Sequence, residues 1–107
     1  MLYEYRKYHV APGRMGDLVD RMCNDAARFF GQYGIRLVGA WQPIVGETNE
    51  FHFMLAWTDL EERQQRWKAF SIDPDWIDVL SETDGESKIR EHGQNEIWAP
   101  IECSPLQ

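Results

Sequence analysis

Three residues near the N-terminus have side chains that could bind a ligand together. Glu4, Arg6 and Tyr8 stand two residues apart, a spacing that places them on one face of a strand. There Arg6 could hold an anionic ligand bidentately, Glu4 could fix the guanidinium, and Tyr8 could donate a hydrogen bond. The alternative is a buried structural ion pair, which costs stability unless its polar atoms are all satisfied.

His52 and Trp41 are two further candidates. His52 lies between Glu50 and Met54 in a segment typical of a strand, and histidine is the usual acid/base group near neutral pH. We therefore predict a role in ligand binding or proton transfer, with a hydrogen-bonded structural histidine as the alternative. Trp41 is a ligand-binding candidate whose alternative is an aromatic core anchor. Arg63, which follows two glutamates, indicates a surface or interface ion pair.

Several kinds of chemistry have no signature in the sequence. No second histidine or cysteine is spaced to complete a metal site with His52, and Cys23 and Cys103 form no C-x-x-C pair. There is no glycine-rich phosphate loop and no G-x-S-x-G elbow. We expect no metal and no cofactor, and two reduced thiols.

Composition and charge limit the partners. The 107 residues are 43% hydrophobic with a net charge of −7, and an acidic chain without a basic stripe is a poor candidate for nucleic acid or anionic membrane. No apolar run approaches the ~20 residues that cross a bilayer. The N-terminus has no apolar signal-peptide core. We therefore expect a cytoplasmic protein that binds neither nucleic acid nor membrane.

The predicted elements alternate between strands and helices. Aromatic residues in alternation predict a strand at 2–10, and apolar residues three and four apart predict a helix of about 18 residues from Met15, ended by Gly31 and Gly34. Strands follow at 35–42 and 50–57, helices begin after Asp59 and after Asp73, and a last strand is predicted at 96–101. The order β-α-β-β-α-β, in one domain over 1–107, is typical of a ferredoxin-like two-layer α+β sandwich.

Both faces of the predicted sheet are apolar. One row of the third strand is Phe51, Phe53, Leu55 and Trp57, and the opposite residues His52, Met54 and Ala56 are only mildly polar. In the second strand, Leu37 and Trp41 are predicted on one face and Val38 on the other. An uncovered apolar face is rare in monomers. A second copy of the chain is the expected cover, because two-fold homodimers are the commonest oligomers.

A series of short motifs resembles the NIPSNAP family. The chain opens with Glu4-x-Arg6-x-Tyr8 and Pro12-Gly13, and the resemblance continues to residue 77. The later motifs are Gly39-Ala40-Trp41, Gly46-x-x-Asn49-Glu50, Trp57, Leu60-Glu61-Glu62-Arg63 and Asp73-Pro74-Asp75-Trp76. By this resemblance the chain is identified as a bacterial single-domain member.

The resemblance implies a dimeric α+β barrel, in which two ferredoxin-like subunits close a barrel across their interface. That superfamily includes small monooxygenases, haem-degrading enzymes and ligand sensors, whereas NIPSNAP proteins have no agreed chemistry. The Asn, Trp and His that line the haem cavity of the haem-degrading relatives do not map residue by residue onto this sequence, so haem is not implied.

Two functions follow as hypotheses. One is a homodimeric accessory protein that binds a small molecule. The other is a cofactor-independent enzyme of monooxygenase or isomerase type that acts on a small aromatic or carbonyl compound. In the enzyme, His52 or Glu4 would transfer the proton and Arg6 would hold the anion.

Overall fold

The computed structural model describes all 107 residues as one sheet covered by helices on one face. The strands are β1 (Leu2–Val10), β2 (Arg36–Trp41), β3 (Glu50–Trp57) and β4 (Arg90–Trp98). The helical segments are α1 (Met15–Arg21), a π-helical segment (Met22–Ala26), α2 (Ala27–Gln32), α3 (Leu60–Ser71) and α4 (Pro74–Asp84). The strand order β2-β3-β1-β4 with antiparallel pairing is the predicted ferredoxin-like α+β arrangement.

The first helix has the predicted length, but the π-helical segment in its middle was not predicted. α1, the π-helical segment and α2 run without a break over 15–32, because the residues at both junctions keep right-handed helical dihedral angles. Gly34 ends the helix with a φ of 68°. The amide of Ile35 then donates to the carbonyl of Phe30 at 2.8 Å, which satisfies a terminal carbonyl.

Aspartates begin the other two helices, as predicted. The Asp59 carboxylate accepts from the Glu62 amide at 2.8 Å, and the Asp73 carboxylate accepts from the Asp75 amide at 2.8 Å. The Glu62 carboxylate accepts from the amide of Thr58, one residue before the cap. These caps fix where α3 and α4 begin against the sheet.

The sheet presents two rows of side chains, whose membership follows from the strand register. Glu4 pairs with Leu55, and Arg6 with Phe53, so the Glu4-x-Arg6-x-Tyr8 row faces the helices. Those partners belong to a core of 14 buried residues that the sheet and the helices share. Tyr5 and His52 point to the other face, which the helices leave uncovered; we call it the outer face.

Two predicted details are wrong. The last strand spans Arg90–Trp98 and not 96–101, because it pairs with β1 along almost its whole length. In β2 a bulge lies between Leu37 and Gly39, so Leu37 pairs with Leu55 on the helix side. Trp41 pairs with His52 on the outer face, and it therefore does not share a face with Leu37.

Candidate functional site

A carboxylate without any solvent exposure lies at the end of the Glu4-x-Arg6-x-Tyr8 row. Glu4 accepts hydrogen bonds from Arg63 at 2.8 and 3.0 Å, from Arg6 at 2.8 Å, from Asn95 at 2.9 Å and from Trp57 Nε1 at 3.0 Å. These donors come from β1, β3, β4 and the first turn of α3. The predicted surface or interface ion pair of Arg63 is wrong, because its partner is this buried carboxylate.

The donors keep Glu4 ionised in spite of its burial. Burial alone raises the pKa of this carboxyl, but the bonds from Arg63 and Asn95, the charge of Arg6 and the bond from Trp57 outweigh it. The resulting pKa is about 2, against an ordinary value of 4.5. A general base works best with a pKa near the operating pH. This environment therefore suits a fixed anion and not a proton-transfer group.

Arg6 lies between Glu4 and an open space. One of its terminal nitrogens donates to Glu4, and its guanidinium carbon lies 4.4 Å from the ring centroid of Trp67 and 5.8 Å from that of Tyr8. The buried Nε has no hydrogen-bond partner. Because Arg63 already binds both oxygens of Glu4, this pair of arginines carries one positive charge more than the carboxylate neutralises.

The open space is a cavity of about 430 Å³ between the sheet and the helices. This lies within the ~300–1,000 Å³ range of small-molecule sites. Arg6 and Tyr8 contribute to its wall from β1. Its apolar lining includes Leu18, Met22, Phe30, Phe53, Phe70 and Trp76.

The π-helical segment borders this cavity. Met22 and Ala26 line it from within the segment, and Arg21 lines it from the residue before. Arg21 is 7% exposed and donates to the Asp84 carboxylate at 2.8 Å, which ties the first helix to the end of α4. Single π turns inside α-helices are frequent at functional sites.

Tyr8 is held beside the cavity by a close approach of β4. The guanidinium of Arg90 lies 4.6 Å from the Tyr8 ring centroid, and the Phe53 ring meets it edge-on at 5.2 Å. A Cβ at Gly93 would lie 3.0 Å from the Tyr8 ring. Glycine at this position gives the phenol ring its room.

His52 and Trp41 lie on the outer face, away from the cavity. The Tyr5 hydroxyl and His52 Nδ1 share a hydrogen bond of 2.6 Å, and the Tyr5 ring stacks on Trp98 at 5.2 Å. The Trp41 ring covers Gly39, where a Cβ would lie 2.6 Å from it. Burial, then the charges of Glu50 and Glu96, raise the pKa of Tyr5, so the phenol keeps the proton it can donate to His52.

The predicted site residues are therefore divided between two faces. Glu4, Arg6 and Tyr8 are together on the helix side, whereas Trp41 and His52 are together on the outer side. No pattern in the residues pointed to Asn95 or to the π-helical segment. No group of three or more His, Cys, Asp or Glu side chains could hold a metal ion, and no helix is long and apolar enough to span a membrane.

The NIPSNAP family profile matches residues 3–105, nearly the whole chain. The chain belongs to the NIPSNAP family. Protein Atu4242 from Agrobacterium tumefaciens is 25% identical to it. The superposition includes 100% of each chain and has a TM-score of 0.89. An uncharacterized NIPSNAP domain protein from Burkholderia xenovorans is 24% identical, with 98% of this chain and 99% of that chain covered and a TM-score of 0.84.

A more distant protein with the same fold is a putative enzyme. A putative antibiotic biosynthesis monooxygenase from Nitrosomonas europaea is 10% identical to this NIPSNAP chain, with 94% and 99% coverage and a TM-score of 0.66. At that identity the likeness establishes the shared fold alone. No match was found among the curated proteins.

Proposed function

We propose that this NIPSNAP protein is a homodimer that binds a small molecule in the cavity between its sheet and its helices. The observation that carries the proposal is the cavity of about 430 Å³, in whose wall the Arg6 guanidinium lies beside the rings of Tyr8 and Trp67. Arg6 can donate to an electron-rich group of the ligand, such as a carbonyl or an acid oxygen. Tyr8 stands next to it for a further polar contact. No reaction is required.

The Glu4 bonds support a binding role for Arg6. A guanidinium that must meet a ligand needs to be held in one orientation before binding, since ordering a long side chain costs ~0.5–1.5 kcal/mol. The carboxylate fixes Arg6 from one side and Trp67 supports it from the other. The side chain is only 13% exposed, so the orientation is set by the protein.

The homodimer is supported by the outer face. Trp41 is 51% exposed and Trp98 is 45% exposed on that face. An apolar surface of this kind is best covered by a second copy of the same chain, which supplies a matching surface under two-fold symmetry. We further propose a cytoplasmic location, because Cys23 and Cys103 are both free and exposed.

Filling the cavity tests the binding proposal. Leu80 lines the cavity on α4, whereas Ile77 of the same helix is 49% exposed and does not line it. The neutral fluorescent probe N-phenyl-1-naphthylamine should bind wild type and Ile77→Trp with equal affinity. It should bind Leu80→Trp at least tenfold more weakly, while all three proteins keep the same melting temperature. Native mass spectrometry of freshly purified protein would identify a ligand retained by wild type. Equal probe affinity in all three proteins would refute the cavity as the site.

A second candidate function is a cofactor-independent enzyme of monooxygenase or isomerase type. The Tyr5–His52 hydrogen bond of 2.6 Å favours it, because a histidine oriented by a second group is a usual proton-transfer unit. His52 and Arg6 lie on opposite faces, so one small substrate cannot contact both in a single subunit. The substrate of such an enzyme would lie on the outer face.

The two candidates differ in which variant loses activity. Oxygen uptake and absorbance changes would be followed with a panel of hydroquinones and unsaturated carbonyl compounds. The enzyme predicts turnover by wild type and by Leu80→Trp, with loss in His52→Ala at unchanged melting temperature. Turnover lost in Leu80→Trp but kept in His52→Ala would contradict an outer-face reaction.

A further inference from the structure

Positive charge is unevenly compensated in this acidic chain. It has eleven lysines and arginines, and eight of them form an ion pair with a carboxylate. The three without one are Lys68, Lys88 and Arg90. The positions of these three show where positive charge is not offset by a paired carboxylate.

Two of these three cations line the same cavity. Lys88 and Arg90 are exposed residues at its mouth, where the chain enters β4, and Lys68 lies elsewhere on α3. With Arg6 and Arg21, the lining has four cations against two carboxylates, Asp84 and Glu91. Asp84 is already bound by Arg21. The cavity of a chain with net charge −7 is thus locally positive.

The lining cations divide into two exposed ones, Lys88 and Arg90, and two inner ones, Arg6 and Arg21, which are 13% and 7% exposed. The guanidinium groups of Arg6 and Arg90 lie 5.8 and 4.6 Å from the centroid of one ring, that of Tyr8. Arg90 and Lys88 are at the exposed edge, whereas Phe30, Phe53 and Phe70 are buried deeper inside. A ligand that matched this wall would be charged at one end and apolar at the other.

We propose that the ligand is an amphipathic organic anion, with its acid group at the mouth between Lys88 and Arg90 and its aromatic or aliphatic body inside the cavity. This inference rests on the proposed function, since it names the ligand class of the same cavity. The acid group stays partly hydrated at the mouth, so its binding avoids the full cost of burying a charge. The apolar body replaces water against the aromatic lining.

A matched pair of probes tests the charge requirement. 8-Anilinonaphthalene-1-sulfonate and N-phenyl-1-naphthylamine share one aromatic skeleton and differ by the sulfonate. At low salt, wild type should bind the sulfonate about tenfold more tightly than it binds the neutral probe. This preference should shrink as ionic strength rises. Lys88→Met and Arg90→Met should each weaken sulfonate binding about fivefold, as expected for losing one charge contact. Both variants should reduce the ratio of sulfonate affinity to neutral-probe affinity.

Lys68→Met is the control, because it removes the third unpaired cation from outside the cavity. It should leave both affinities unchanged. Displacement of the neutral probe by the sulfonate would show that both occupy one site. Equal affinity of wild type for the two probes, or an equal effect of Lys68→Met and Lys88→Met, would overturn the anion requirement and leave the cavity as a binding site. Binding of neither probe would overturn the proposed function and this inference with it.

Discussion

At the scale of single residues, Glu4 determines what the neighbouring cations can do. A buried carboxylate that two arginines, a tryptophan and an asparagine satisfy is a structural anion, and it fixes Arg6 at the wall of the cavity. The sequence predicted the Glu4–Arg6 pair because residues two apart share a strand face. The bonds from Arg63 and Asn95 were not predictable, since those residues are 59 and 91 positions away and meet Glu4 only through the tertiary fold.

The first prediction concerns the acid stability that Glu4 supplies. A pKa of about 2 in the folded state, against 4.5 ordinarily, stabilises the folded chain by roughly 3 kcal/mol above pH 4.5. Because the folded pKa is the lower one, this contribution is lost as pH falls from 4.5 toward 2. Glu4→Gln should lower the free energy of unfolding at pH 7 by ~3 kcal/mol, since it removes the buried counter-charge of Arg63 and Arg6, whose side chains are only 25% and 13% exposed.

Urea unfolding at several pH values between 2 and 7 measures both effects. Wild type should lose stability more steeply below pH 4.5 than Glu4→Gln does. Glu86→Gln is the matched control, because Glu86 is exposed, and it should follow the wild-type curve within ~0.5 kcal/mol. Identical acid profiles for wild type and Glu4→Gln would contradict the assignment.

At the scale of elements, the accuracy of sequence prediction follows the strength of the periodic signal. β3 and the first helix bury regularly spaced apolar side chains, and their predicted bounds hold to within a few residues. Every residue of β4 is exposed, so the strand has no apolar row. Its place is decided by backbone pairing with β1, which leaves no mark on composition. The bulge near Leu37 was not predicted for the same reason, because it too depends on backbone pairing; it places Leu37 and Trp41 on opposite faces of β2.

The second prediction concerns the π-helical segment at the cavity. Deleting Asn24, an exposed residue within it, would convert the segment to a regular α-helix and rotate the residues before it by about 100° relative to those after it. Arg21 and Met22 would then leave the cavity wall. We expect a loss of more than about 2 kcal/mol in unfolding free energy and of probe binding, with helix content by circular dichroism unchanged.

Asn24→Ala separates the deletion from the loss of the side chain. This substitution should change stability by less than ~0.5 kcal/mol and leave probe affinity at the wild-type value. A deletion variant that bound N-phenyl-1-naphthylamine as wild type does would show that the π-helical geometry is not needed for the cavity.

At the scale of the whole molecule, the two faces of the sheet have different roles. The helix-facing side holds the cavity, and the outer face carries Trp41, His52, Tyr5 and Trp98 in a diagonal that crosses all four strands. The sequence predicted a second apolar face, and the exposed indoles of Trp41 and Trp98 agree with that part of the interpretation. The dimer that would cover them stays a prediction.

The third prediction tests that dimer with two single substitutions, Trp41→Arg and Ile77→Arg. Trp41 on the outer face and Ile77 on α4 are 51% and 49% exposed, so a charge at either position costs the monomer little. Trp41→Arg should give a folded monomer, because it places a charge in the interface, whereas Ile77→Arg should stay dimeric. Size-exclusion chromatography with light scattering at micromolar concentration measures the masses. A wild-type monomer under those conditions would refute the dimer.

The donors to Glu4 have a consequence for how the chain is made. β1 is synthesised before β4, yet β4 is one of its two neighbouring strands. Until residues 90–98 have left the ribosome, β1 can pair with β3 but has an open edge on its other side, and Glu4 lacks the side-chain amide of Asn95. Open strand edges are prone to pair with other chains. The growing chain is therefore open to misassembly between the emergence of β3 and that of β4, and the later strand protects the earlier one.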